Sequence, residues 1–226
     1  MEILYLIPAR GGSKGITNKN IKKLANKSLI EYTINAAREI AEDKDICVST
    51  DSDDIIKEVE TLGLQVPFKR PADLSTDTAT TEQVINHALE FFSRKGQNYD
   101  VVVLLQPTSP FRASIDITGA MKLFNEQLDM VVSVTETKSN PYYVLVEENE
   151  EGYLEKSKTG SFTRRQDCPK VWEYNGAVYV INVKKLKEIG LSSFNKVIKY
   201  EMPYERSVDI DNPLDWQYAE FLLQRS

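Results

Sequence analysis

The sequence predicts an α/β fold, a mostly parallel sheet flanked by helices with a small β-rich arm, on three observations. Short apolar runs alternate with segments of helical periodicity, the signature of βαβ units. The first run, residues 3–7, is continuously apolar and suits a strand buried on both faces. From 137 to 172 this alternation gives way to a polar stretch holding the turn Glu147-Glu148-Asn149-Glu150-Glu151-Gly152 between two short strand candidates. With 226 residues the chain is read as one domain, 1–226, with the arm inserted at about 137–172.

The elements follow in order. After the strand at 3–7, Ser28-Leu29-Ile30-Glu31 has the form of a capping box, and Ile30, Ile34, Ala37 and Ala41 make the apolar stripe of the helix it opens. A strand at 46–50 is followed by a helix at 51–62 that Gly63 stops. Thr80 or Thr81 starts a helix with Val84, Ile85, Ala88, Leu89 and Phe92 on one face. The most hydrophobic strand, 101–105, is expected to be central. A helix near 115–127 leads into a strand at 130–134. Beyond the arm come a strand at 176–181, a helix near 184–190 and a strand near 197–201. The last helix begins at Asn212-Pro213, with Asn as cap and Pro in the first turn.

Composition narrows the function. Lys and Arg number 28 against 34 Asp and Glu, a net charge of −6, which argues against nucleic-acid binding. Residues 9–28 nevertheless carry Arg10, Lys14, Lys19, Lys22, Lys23 and Lys27 and no acid, so this window is +6 and the rest of the chain −12. A positive field inside an acidic protein fits a small, highly anionic ligand. No run is long enough to span a membrane, the N-terminus does not read as a secretory signal, and two cysteines make no disulfide framework. A reducing cytoplasm is the expected compartment. The single histidine, His87, lies in a helical apolar pattern with no acid or nucleophile nearby, and is read as structural.

Four segments carry candidate chemistry. Directly after the first strand, Pro8-Ala9-Arg10-Gly11-Gly12-Ser13-Lys14-Gly15 has the place and composition of a phosphate loop: glycine backbone N–H groups approach the oxygens, while Arg10 and Lys14 supply charge. A glycine turn with incidental charge is the bland alternative. Gln106-Pro107-Thr108-Ser109-Pro110-Phe111-Arg112 follows the central strand and puts Gln106 beside that loop, or is only a stiff connection. In Ser207-Val208-Asp209-Ile210-Asp211 an extended backbone points Asp209 and Asp211 the same way, toward a Mg²⁺ ion or toward solvent. Finally, Arg164-Arg165-Gln166 in the arm offers a carboxylate clamp or an exposed basic turn.

Taken together, I-P-A-R-G-G-S-K-G at 7–15, K-N-I at 19–21, Arg70-Pro71, D-T-A-T-T at 77–81, L-Q-P-T-S-P-F-R at 105–112, R-R-Q at 164–166, N-G-A-V-Y at 175–179 and S-V-D-I-D at 207–211 resemble the acylneuraminate cytidylyltransferases over nearly the whole chain. The resemblance implies a Rossmann-like, nucleotidyltransferase-type sheet and a Mg²⁺-dependent reaction. In it, CTP and a nine-carbon 2-keto sugar acid give a CMP-sugar and pyrophosphate. By that resemblance Arg10, Gly11, Gly12, Ser13 and Lys14 grip the triphosphate. Asn20, Arg70, Ala79 and Thr81 hold the cytidine. Gln106 orients the sugar, and Asp209 and Asp211 hold the metal, with Arg10, Lys14, Gln106 and Asp211 carrying the catalysis. Lys138, Arg165, Gln166, Asn175 and Tyr179 are the remaining sugar residues. The arm residues match ones that reach a neighbouring subunit's site, implying a homodimer.

N-acetylneuraminate is the favoured sugar, with legionaminate and pseudaminate as alternatives. Octulosonate cytidylyltransferases are more distant, because their first loop lacks R-G-G-S-K. A second enzyme reading is a nucleotidyltransferase with another base or sugar. From other classes come a non-catalytic nucleotide-binding regulator and an interaction module, although Lys14, Asp209 and Asp211 are all present.

Overall fold

A computed structural model describes residues 1–225. In chain order, β1 (Ile3–Pro8) precedes a small hairpin of β2 (Lys23–Leu24) and β3 (Lys27–Ser28), then α1 (Leu29–Arg38), β4 (Ile46–Ser49) and α2 (Asp53–Thr61). Next come α3 (Thr81–Arg94), β5 (Val101–Leu104), α4 (Ser114–Leu123) and β6 (Met130–Glu136). The arm contributes β7 (Val146–Glu148) and β8 (Leu154–Lys156). The chain closes with β9 (Trp172–Asn182), α5 (Val183–Ile189), β10 (Val197–Glu201) and α6 (Pro213–Leu223).

Six strands form one sheet in the order β10-β6-β9-β5-β1-β4. β1 pairs parallel with β4 and β5, and β10 parallel with β6. β9 runs antiparallel between β5 and β6, so the sheet is mixed, mostly parallel, with β5 in its interior. Alternate residues of β1 divide the core: Tyr5 and Ile7 face the layer of α1, α2 and α4, while Leu4 and Leu6 face that of α3 and α5. Each fully buried Leu or Ile of these layers contributes roughly 1.5–3 kcal/mol. A third cluster packs α6 through Trp216 and Ala219 onto Ile16, Leu24 and Leu29. Among the described residues no helix is long and apolar enough to cross a membrane.

Some local readings change. Ser28 stands before α1, but its side chain makes no cap; it is fully buried with its backbone paired to Lys23 in the β2–β3 hairpin. The tertiary contact has overridden the capping-box pattern. α2 starts two residues later than predicted because Ser52, not an earlier residue, caps it, accepting from the Ile55 N–H. Thr80 caps α3 in a reciprocal box with Gln83. Strand β9 is longer than the 176–181 run and bends at Gly176, which adopts φ +72° opposite a register shift between Val132 and Val134 of β6. Residues 207–211 belong to no strand, and Ser207, at φ −103° and ψ 18°, is not extended.

Candidate active site

The carboxyl ends of β1 and β5 open onto a cavity of about 390 Å³. Arg10, Ser13, Lys14, Asn20, Arg70, Ala79, Thr81, Gln106 and Asp211, all predicted site residues, line it. An adjoining pocket of about 250 Å³, mostly apolar, shares Thr81, Leu104 and Gln106 with it and is lined on its far side by Tyr174 and Tyr179.

The loop after β1 owes its shape to its glycines, each for a different reason. A Cβ on Gly11 would sit 2.9 Å from the Ser52 Cβ, so this residue lets the loop lie against the start of α2. A Cβ on Gly15 would land on the carbonyl oxygen of Asp211. Gly12 has nothing within 4 Å and leaves the loop backbone open to a ligand. The Gly11 N–H donates to Asp51 Oδ1 at 3.0 Å, and the same carboxylate oxygen lies 3.9 Å from Arg70 Nη2. Asp51 thus ties the loop after β1 to Arg70, the residue expected at the nucleoside.

Arg70 is 4% exposed, with Nε donating to Ser75 Oγ at 3.0 Å. Burial lowers its pKa, Asp51 opposes that shift, and Arg10 adds to it. Asn20, also buried, donates from Nδ2 to the Arg10 carbonyl at 3.0 Å and supports the loop from beneath. Lys19 next to it is 9% exposed; its Nζ donates to the Ile210 carbonyl at 2.7 Å and to Asp211 Oδ1 at 3.0 Å. It lines the cavity as a cation held at the acidic segment.

Gln106 emerges from β5 into both pockets. Its carbonyl is fixed from behind by the buried Arg112, whose Nη1 donates to the carbonyls of Gln106 (3.0 Å) and Ala177 (2.9 Å), while Nη2 donates to Thr33 Oγ1 at 2.6 Å. Complete burial lowers the Arg112 pKa to about 9, and the Asp116 carboxylate opposes that shift. The β9 bend brings Gln106 and Asp209 together. A Cβ on Gly176 would lie 3.4 Å from Ser109 Oγ and 3.7 Å from both Gln106 Oε1 and Asp209 Oδ2.

Within 207–211, Val208 and Ile210 are buried and Asp209 and Asp211 face outward, so the predicted alternation holds without a strand. The segment is pinned by the Ile210 N–H donating to the Thr108 carbonyl at 2.8 Å. Surrounding protein raises the pKa of the Asp209 carboxyl although solvent still reaches it; Asp211 adds to the shift, whereas Thr108 and Lys19 oppose it. Among the described residues no group of three or more His, Cys, Asp and Glu gathers into a metal cage. Two carboxylates beside a cationic loop are oxygen donors of the kind Mg²⁺ accepts, since that ion keeps several of its waters and needs only one or two protein carboxylates.

Other predicted residues fall elsewhere. Asn175 is 5% exposed and its amide is spent internally. Oδ1 accepts from Ser133 Oγ (2.6 Å) and the Ala177 N–H (3.2 Å), and Nδ2 donates to Ser207 Oγ at 2.9 Å. It straps β9 to the segment that carries Asp209 rather than facing a cavity. Lys138, Arg165 and Gln166 are exposed on the arm and line neither pocket; Arg165 Nη2 donates to the Lys138 carbonyl at 2.9 Å, and Lys138 Nζ lies 3.8 Å from the Tyr204 ring centre. His87 packs edge-on against Phe68 at 4.8 Å, in an aromatic cluster, and burial lowers its pKa.

Lys19, Asp51, Asp77, Gly15 and Arg112 belong to the site or its support, and the sequence reading gives none of them a role of its own. In the sequence Lys19 reads as one of six cations and as part of K-N-I, with nothing to indicate its acidic partner. The acidity of Asp51 and Asp77 reads locally as helix-start and loop polarity, and no local pattern reveals the cations they meet.

A cytidylyltransferase family model matches residues 4–217. The flagellin modification protein B of Campylobacter coli is 36% identical over 99% of this chain and 95% of its own. The CMP-N,N'-diacetyllegionaminic acid synthase of Legionella pneumophila is 32% identical over 99% of this chain and 97% of its own. The N-acylneuraminate cytidylyltransferase of Escherichia coli is 34% identical over 99% of this chain, which spans 52% of that protein. In fold, the chain matches a CMP:2-keto-3-deoxy-manno-octonic acid synthetase solved with CTP, at TM-score 0.70 and 16% identity, covering 100% of this chain and 99% of the other.

Proposed function

The chain belongs to the cytidylyltransferase family, and on that premise we propose that it transfers CMP from CTP to the anomeric hydroxyl of a nine-carbon 2-keto sugar acid. The observation that carries this reading is one cavity lined by Arg10, Lys14, Lys19 and Arg70 together with Gln106 and Asp211. Four cations converge on a space of nucleotide size, and no paired nucleophile and base accompanies them. In-line phosphoryl transfer asks mainly for positioning and neutralised charge.

In this reading the side chains of Arg10, Ser13 and Lys14 and the Gly12 N–H hold the triphosphate, while Gly11, its N–H taken by Asp51, shapes the loop around it. Asn20, Arg70, Ala79 and Thr81 hold the cytidine. Gln106 orients the sugar acid at the junction of the two pockets, with Tyr179 on the wall of the second. The anomeric hydroxyl gives up its proton to solvent, its oxygen forms a bond to the α-phosphorus, the bond from that phosphorus to the bridging oxygen breaks, and pyrophosphate leaves with the negative charge. Asp209 and Asp211 are the residues that would hold Mg²⁺, which supplies charge neutralisation and orientation of the phosphates when bound. Lys19, beside Asp211, adds positive charge there.

N-acetylneuraminate, legionaminate and pseudaminate are the sugars in contention, and the named relatives include enzymes for the first two kinds. Relatives of both kinds match the chain at similar identity, 32% and 35% for two legionaminic acid synthases and 34% for the N-acylneuraminate enzyme, of which the chain spans about half. Product analysis decides the matter. With CTP, Mg²⁺ and each acid in parallel, the CMP ester of one nine-carbon acid is expected, with UTP giving little product. Equal turnover of UTP and CTP contradicts the assignment to cytidine. CTP as substrate and two free thiols, Cys47 and Cys168, support a cytoplasmic enzyme.

The protein is proposed to be a homodimer whose arm completes its neighbour's sugar site. Tyr143, Val144, Leu145, Val146, Tyr153 and Leu154 expose an apolar surface on and beside the β7–β8 hairpin, and the arm's Lys138, Arg165 and Gln166 do not line their own cavities. Mixing Arg165→Ala protomers with Asp211→Ala protomers, each inactive, should then restore activity toward a quarter of the wild-type level, because only one of a heterodimer's two sites is intact. No recovery under demonstrated subunit exchange rules out the shared site.

A further inference from the structure

Two cations of the phosphate loop already share an anion. Arg10 Nη1 and Lys14 Nζ lie 2.7 and 2.6 Å from separate oxygens of one carboxylate, that of Asp77. Asp77 stands in the segment before α3, whose Ala79 and Thr81 line the same cavity as the two cations. One carboxylate therefore bridges the loop after β1 to the loop before α3. Hydrogen bonds from Lys14 and then Arg10 hold the Asp77 carboxyl below the usual carboxylate range. Carboxylate and phosphate oxygens ask the same thing of Arg and Lys, so a triphosphate gripped by these two side chains displaces Asp77.

We propose that Asp77 is a specificity-setting counter-ion, which stands in for phosphate on Arg10 and Lys14 and discounts the affinity of every ligand that must take those cations. This rests on the phosphate-loop reading above. A ligand that binds only the opened form is weakened by the fraction of protein that is open. CTP and pyrophosphate carry the discount; cytidine, which has no phosphate, escapes it. All three side chains are partly exposed, and exposed ion pairs are individually worth a few-fold at most, so the two together set the discount at roughly three- to tenfold. The consequence for turnover is a looser hold on pyrophosphate after transfer.

The test is titration calorimetry of the full chain with CTP, pyrophosphate and cytidine at fixed ionic strength, comparing wild type with Asp77→Asn, Lys14→Ala and Asp73→Asn. Asp73 lies on the same loop, four residues earlier and outside the Arg10–Lys14 pair, and controls for the bare loss of one negative charge. Asp77→Asn is expected to bind CTP and pyrophosphate roughly three- to tenfold tighter with cytidine unchanged, while Asp73→Asn matches wild type. Unchanged or weaker CTP binding by Asp77→Asn, or equal tightening by Asp73→Asn, overturns the proposal. Lys14→Ala separates the two levels. If it binds CTP as well as wild type does, or wild type does not bind CTP, the phosphate-loop reading fails and the role of Asp77 falls with it. If Lys14→Ala weakens CTP binding and Asp77→Asn leaves it unchanged, only the counter-ion proposal is lost.

Discussion

Asp211→Ala is expected to lower kcat by roughly 10²–10³-fold, about 3–4 kcal/mol of transition-state stabilisation, with the fold intact. The side chain is 72% exposed and its backbone stays anchored, because the N–H groups of Asp211 and Asn212 both donate to Asp215 Oδ2. What the substitution removes is one of two carboxylates suited to a divalent ion and the charged partner of Lys19. Asp211→Asn separates these roles. It keeps an oxygen for the Lys19 ammonium but not the negative charge. An activity near wild type in Asp211→Asn assigns the residue to holding Lys19; a loss equal to that of alanine assigns it to the ion. Wild-type turnover in Asp211→Ala removes the residue from the mechanism.

The second large effect is expected at Gly15. An added Cβ there collides with the Asp211 carbonyl oxygen, and the neighbouring Asp211 carbonyl carbon and Asn212 Cα lie only 3.2 and 3.7 Å away. These are backbone atoms. They are pinned by Ile210 pairing with Thr108 and by the Asn212 cap of α6, so neither side can swing away. The loop after β1 and the acidic segment must separate by about an ångström, and a misplacement of that size costs roughly 10²-fold in rate. Overpacking adds a stability loss of about 1–3 kcal/mol. Gly15→Ala should therefore lose kcat/KM by roughly 10² and melt several degrees lower. Gly12→Ala, whose Cβ meets nothing within 4 Å, should keep its stability. Wild-type kcat/KM in Gly15→Ala contradicts the close apposition of the two loops.

How much of this is legible in the sequence follows from how local each feature is. Strand runs, the Thr80 and Asn212 caps and the outward alternation of Asp209 and Asp211 depend on neighbours within a few residues, and they appear where the pattern puts them. The Ser28 capping box is as clear a pattern, yet it does not form, since the β2–β3 hairpin buries that side chain. The site divides in the same way. Arg10, Lys14 and Gln106 sit at strand ends, where an open sheet binds ligands. Lys19, Asp51 and Asp77 acquire their roles from partners 192, 40 and 67 residues away. Asn175 is the converse: a polar residue in a telling motif whose amide, once folded, is consumed by Ser133, Ala177 and Ser207.

The most direct test of the central claim is the stoichiometry of pyrophosphate release, measured with wild-type protein, Mg²⁺, CTP and the nine-carbon acid, leaving out each component in turn. The account predicts one pyrophosphate for each CMP-sugar formed, and none without the acid. Release that proceeds without the acid, or a nucleotide product other than the CMP ester, contradicts transfer to a sugar hydroxyl.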